Sequence, residues 1–190
     1  MNTIKFYWDQ ALSLEQYLEL TTKRIEEPKD ELEVSYKEYY ELASQRMSRT
    51  LKTFKKDPAQ VEKLESKNFD GKILIISEPW CGDASATVPA VHEFFKDTCE
   101  VRIFLRDKDH ALIDQYLTNG TQSIPIVLIL DKDHKELAHW GPRPAFGLEL
   151  LKKYKENPET YSKDDFHNDL QVYYAKNKGK DVIEELLELI

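Results

Sequence analysis

The residues best suited to chemistry are Trp80-Cys81-Gly82-Asp83, read together with Ile124-Pro125 farther along the chain. Cys81 follows an apolar run, Ile73 to Ile76, that predicts a buried strand, and it precedes a segment over 83–96 that predicts a helix. A thiol at that turn faces the unpaired N–H groups of the helix start and the positive end of its dipole. Both favour a thiolate and can lower its pKa well below the ordinary value of ~8.5. Nucleophilic sulfur chemistry follows. Asp83 works against it, because a carboxylate that suits the first turn of a helix disfavours a second negative charge beside it. A cation beside Cys81 would tip the balance, either by stabilising the thiolate or by binding a carboxylate on an incoming thiol.

Those residues need a scaffold, and the apolar pattern supplies one. Residues 1–66 read as helical: Leu14, Tyr17, Leu18 and Ile25 recur at helical spacing after Ser13 until Pro28 interrupts. Leu32, Tyr36, Tyr39, Tyr40, Ala43, Met47, Leu51 and Phe54 then form a long stripe that must be covered by the rest of the chain, a second copy or a client. Asp57-Pro58 begins a further short helix. From Phe69 the pattern changes to strands at 73–76, 101–105, 126–130 and 136–140, with helices at 84–96 and 110–117, the latter stopping at Asn119-Gly120. Alternation of strand and helix predicts a parallel pair with a right-handed crossover, and the last two strands predict an antiparallel hairpin. Leu148, Leu150, Leu151 and Tyr154 mark a closing helix. Phe166, Leu170, Tyr173 and Tyr174 mark another, and Val182, Ile183, Leu186, Leu187 and Ile190 mark a last one beyond Lys178-Gly179-Lys180. The reading divides the chain into a helical extension at 1–66, an α/β domain at 67–155 and a helical tail at 156–190.

With 41% hydrophobic and 33% charged residues, the chain can bury a core and is not expected to be disordered. Its net charge of −8 comes without a concentrated basic stripe, which argues against nucleic acid. No run approaches a membrane span or the core of a signal peptide, so a cytoplasmic protein is expected. The two cysteines, Cys81 and Cys99, lack metal-site spacing and suit a reducing compartment. No histidine has an orienting partner beside Cys81: His92 lies three turns beyond it, and His110, His134 and His139 fall at a helix start, a turn and a strand. That pattern argues against a cysteine hydrolase. The acids of Asp107-Lys108-Asp109 and Asp131-Lys132-Asp133 do not extend into calcium loops and read as solvated turns.

The order strand, Trp80-Cys81-Gly82, helix, strand, helix, Ile124-Pro125, hairpin, Gly141, helix resembles the thioredoxin superfamily. The wider pattern Glu78-Pro79-Trp80-Cys81-Gly82-Asp83-Ala84, with Trp140-Gly141-Pro142-Arg143-Pro144, is similar to a bacterial branch of it. The resemblance implies an α/β thioredoxin-like fold, a central mixed sheet flanked by helices. It makes Cys81 the attacking thiol, Trp80 and Gly82 its neighbours, and Pro125 a cis-proline beside which an extended substrate segment docks. Ile124 and Ile126 would flank that groove, Gly141 would let substrate approach from the hairpin side, and the loop after Gly141 would bring Arg143 beside the thiol as the cation that stabilises the thiolate or binds a carboxylate on the incoming thiol.

The departures matter as much. The resolving cysteine of the family is replaced by Ala84, Ser85 is one position too late, and the buried acid of the family is replaced by Ile75. Cys99, at the far end of the first core helix, is expected to be a small buried hydrophobe. A two-thiol cycle therefore cannot run here. The leading expectation is a lone nucleophile, Cys81, that forms mixed disulfides with protein or peptide thiols and is resolved by an external thiol such as glutathione, with no bound cofactor and no metal. The alternative is a binding or redox-sensing module that uses the groove beside Pro125. An iron–sulfur role like that of single-cysteine glutaredoxins is disfavoured, because their Cys-Gly-Phe-Ser motif and accompanying glutathione-binding motifs are missing.

Overall fold

Strand β1 (Lys72–Ser77) is a run of β-branched and leucine side chains with Ile73, Leu74, Ile75 and Ile76 fully buried. Burial on both faces explains why the run shows no alternation. The computed structural model describes residues 2–190. In it β2 (Glu100–Leu105) pairs parallel to β1, β3 (Ile126–Leu130) pairs antiparallel to the other side of β1, and β4 (Glu136–Trp140) closes the hairpin against β3. The resulting order is β2-β1-β3-β4, the mixed sheet that the sequence predicts.

Five helices precede the sheet: α1 (Ile4–Asp9), α2 (Leu14–Glu26), α3 (Glu31–Ser35), α4 (Lys37–Thr53) and α5 (Pro58–Lys67). Local chemistry sets their starts. Ser13 and Gln16 form a reciprocal capping box on α2, and Asp57 caps α5 with Pro58 in its first turn. Between α1 and α2, Leu12 pairs with Ile103 of β2: its N–H donates to the Ile103 carbonyl at 2.7 Å and its carbonyl accepts the Ile103 N–H at 2.8 Å.

The first core helix, α6 (Ala84–Phe95), buries Val88, Val91, Phe94 and Phe95. Helix α4 packs along it and covers its own Tyr40, Ala43 and Met47, so much of the α4 stripe is buried within the chain. Leu32 and Tyr39 are not covered and remain 61% and 58% exposed. After β2 come a short 3-10 turn over Arg106–Lys108 and α7 (His110–Ile113). The helix predicted over 110–117 is thus shorter than expected. Thr118 and Thr121 exchange backbone hydrogen bonds of 2.9 and 3.0 Å around Asn119 and Gly120, both at positive φ, so turn chemistry overrides the helical spacing.

Three helices complete the chain: α8 (Ala145–Glu156), α9 (Lys163–Asn177) and α10 (Lys180–Leu189). Leu148, expected on the apolar face of α8, is 43% exposed, whereas Leu150, Leu151 and Tyr154 join Tyr161, Phe166, Leu170 and Tyr174 in a second small core between α8 and α9. Val182, Ile183, Leu186 and Leu187 bury α10 against the main core. Gly179, at φ +83°, makes the sharp α9–α10 turn possible, since a Cβ there would stand 2.5 Å from the Ala90 side chain on α6. Among the described residues no helix is long and apolar enough to cross a membrane, and no group of three or more His, Cys, Asp or Glu is placed to hold a metal ion.

Candidate thiol site

The end of β1 delivers Cys81 to the start of α6. Its N–H donates to the Glu78 carbonyl at 3.1 Å, closing a turn, and its own carbonyl accepts the Ser85 N–H at 3.0 Å, opening the helix. The Sγ donates to the Ile124 carbonyl at 3.4 Å. The Ile124-Pro125 bond is cis, as is Gly141-Pro142. Thus the thiol, the proline loop and the hairpin end meet at one cleft of about 310 Å³, whose lining includes Trp80, Cys81, Gly82, Ser123, Ile124 and Arg143.

The surrounding side chains are held from several elements. The Trp80 ring leans on Tyr36 with centroids 5.4 Å apart, and the Arg106 guanidinium lies over the same ring, 5.0 Å from its centroid. Asp83, at the α6 start, receives two partners: Arg143 Nη2 at 2.6 Å and the Tyr174 hydroxyl, which donates to it at 2.8 Å. Gly141, at φ +132°, packs directly on the proline loop, where a Cβ would stand 2.3 Å from the Pro125 carbonyl oxygen. Ser85 spends its hydroxyl on the Gly82 carbonyl at 2.7 Å. Glu78, only 1% exposed, accepts from Arg24 at 3.0 Å and from the Asp107 N–H at 2.9 Å, tying α2 to the loop before the thiol.

A thioredoxin family model matches residues 30–155, from just before α3 to within α8. The chain belongs to the thioredoxin family. Two solved structures share its fold. A 1.5 Å crystal structure of a protein of unknown function from Pseudomonas aeruginosa is 16% identical with a TM-score of 0.67, covering 100% of this chain and 97% of that one. An HIV epitope scaffold is 15% identical with a TM-score of 0.67, covering 99% and 97%. No curated protein matches the chain.

In this thioredoxin-family frame the thiol's electrostatics differ from the expectation. Burial pushes the Cys81 thiol up to about 12, and the Asp83 carboxylate pushes the same way. The Ala84 and Asp83 N–H groups and Arg143 pull it down, as the helix-start argument predicts, but they are outweighed. Desolvation penalises any charged form, whereas the N–H groups act only on the one that points at them. Arg143 lines the Cys81 cleft, and its ion-pair partner is the Asp83 carboxylate, at 2.6 Å, rather than the sulfur.

The other positions singled out from the sequence fall as follows. Ala84 is buried, and Ile75 is fully buried between Ile103 and Val127 in the sheet. Cys99 is half-buried at the far end of α6, its thiol pushed up to about 12 by burial and by Glu100. His92 bonds to Glu93, His110 to Gln122 and His139 to Glu136, and none lines the Cys81 cleft. Sequence reasoning missed Arg24, Arg46, Arg106, Tyr174 and Gln171. Arg106 alone left a local signal, standing directly after the apolar run of β2; the others reach the site across the fold.

Proposed function

We propose that this chain acts in thiol–disulfide redox chemistry with Cys81 as a lone nucleophile. The observation that carries the reading is the juxtaposition of Cys81 Sγ, 3.4 Å from the Ile124 carbonyl, with the cis Ile124-Pro125 loop at the start of α6. An extended peptide laid along that loop would pair with its backbone and bring its sulfur to Cys81. With a glutathionylated thiol as substrate, Cys81 sulfur bonds to the glutathionyl sulfur, the S–S bond of the substrate breaks, and the client leaves as thiolate and takes up a proton. A glutathione thiolate then attacks the mixed disulfide, glutathione disulfide departs, and the Cys81 sulfur is reprotonated. The two electrons come from glutathione.

The free protein is slow in this scheme. With a thiol at about 12, roughly one molecule in 10⁵ carries the thiolate at pH 7. The same observation favours a second reading, a binding module whose groove holds partners while the thiol rests. Turnover of a glutathionylated peptide by glutathione, compared between wild type and Cys81→Ser, separates them. Equal turnover removes the redox reading, and retained peptide binding by both proteins then supports the second. Protein or peptide thiols in a reducing compartment, the bacterial cytoplasm, are the partners that fit two free cysteines.

A further inference from the structure

Beside the Cys81 cleft lies a second chamber of about 290 Å³, lined by Arg46, Gly82, Arg143, His167 and Gln171 among others. The two share Tyr39, Gly82, Asp83 and Arg143, so they form one continuous surface with the thiol at one end. Gly82 is the doorway between them. A Cβ at Gly82 would stand 3.4 Å from Arg46 Nη1 and 3.4 Å from Gln171 Nε2. Two side-chain donors, one from α4 and one from α9, therefore converge on the notch left by the missing side chain.

Those donors are free. Arg143 is engaged by Asp83 at 2.6 Å and Arg106 by Asp107 at 2.7 Å, but Arg46 makes no ion pair or hydrogen bond among the described residues, and neither does the Gln171 amide. Burial and the neighbouring Arg49 both disfavour the Arg46 charge, a cost that a bound anion would relieve. Asp83 is the acidic residue lining both chambers, and its charge is already met by Arg143 and the Tyr174 hydroxyl. In a chain of net charge −8, this surface is thus locally basic.

We propose that the second chamber is a carboxylate subsite for a low-molecular-weight thiol, whose sulfur meets Cys81 while its carboxylate lies over Gly82 on Arg46 and Gln171. The chamber's size suits a peptide of a few residues rather than the surface of a folded partner. The proposal rests on the reading that Cys81 exchanges with such a thiol, and it names what selects that thiol.

The test uses Cys81→Ser protein, in which no exchange can occur, titrated calorimetrically with S-methylglutathione and with its diethyl ester. The free acid should bind at least tenfold more tightly than the ester, the range given by charge-assisted hydrogen bonds. Adding Arg46→Gln should bring the acid down to the affinity of the ester, and adding Gly82→Ala, which fills the notch, should weaken the acid as well. Arg46 is only half-buried, so the folded state of its variant is checked by its melting temperature. Equal affinities for acid and ester, or an acid affinity untouched by Arg46→Gln, overturn the subsite. Because no thiol takes part, this outcome is read separately from the turnover comparison that tests the redox reading.

Discussion

Replacing Asp83 by Asn should make Cys81 more reactive, and the size of the gain follows from the site. The thiol is held at about 12 by burial first and by the Asp83 carboxylate second. Burial is untouched by an isosteric amide, but one negative charge disappears and Arg143 loses the partner at 2.6 Å that occupies it. A neighbouring charge is worth about 1–3 pKa units, which brings the variant thiol to roughly 9–11. For a fall of about two units, the thiolate fraction at pH 8 rises about 100-fold while intrinsic nucleophilicity falls about eightfold, leaving a net gain of about tenfold. The assay is the pH dependence of iodoacetamide alkylation in a Cys99→Ser background, since Cys99 is the other free thiol. Asn keeps an acceptor for the Tyr174 hydroxyl, so the stability cost should stay at about 1–3 kcal/mol and the variant should remain folded. Alkylation no faster than wild type at pH 8, or a wild-type titration midpoint below about 9, refutes this balance of burial and charge.

Glu78→Gln should flatten the pH dependence of stability. Burial raises the Glu78 carboxyl above its ordinary value despite Arg24 and the Asp107 N–H, so the folded state keeps a proton that the unfolded chain has already released. Wild type therefore loses stability as pH rises from the unfolded value through the folded one, and urea midpoints across that window should show a slope that the variant lacks. Ala84→Cys should create a disulfide with Cys81, because residues three apart in a first helical turn lie within bridging distance; mass spectrometry after mild oxidation should show the loss of about two hydrogens. Persistence of both free thiols would contradict the geometry of the α6 start. Gly141→Ala should cost at least about 1–3 kcal/mol through its positive φ and its collision with the Pro125 carbonyl, read as a fall in melting temperature. An unchanged melting temperature would mean that the proline loop moves aside freely.

What was legible in the sequence was what is local. The Leu14, Tyr17, Leu18 stripe after Ser13, Asp57 with Pro58 and the Ile73–Ile76 run each specify an element from within a few residues, and each element is present. The helix past Ile113 failed because Asn119-Gly120 is also local, and its turn preference reached back farther than the apolar spacing suggested. The charge of the thiol, by contrast, is not a local property. Helix-start electrostatics can be read from the position of Cys81, but burial depends on the Ile124 loop and the whole fold around it. Arg24 on Glu78, Tyr174 on Asp83 and Arg46 over Gly82 likewise join residues far apart in sequence, and no spacing rule connects them.

The pairing of Leu12 with Ile103 carries a consequence for the protein's solubility. β2 is the outer strand of the sheet, and an outer strand offers its free N–H and carbonyl groups as a template on which another chain can add. The short segment between α1 and α2 occupies the middle of that template with two backbone hydrogen bonds, at 2.7 and 2.8 Å. On the opposite side α10 packs over β4, and Trp140 Nε1 donates to Glu185 at 2.6 Å. The segment before α2 thus acts as a stopper at the β2 margin of the sheet, and a chain begun at residue 14 would expose β2 to growth by strand addition between molecules.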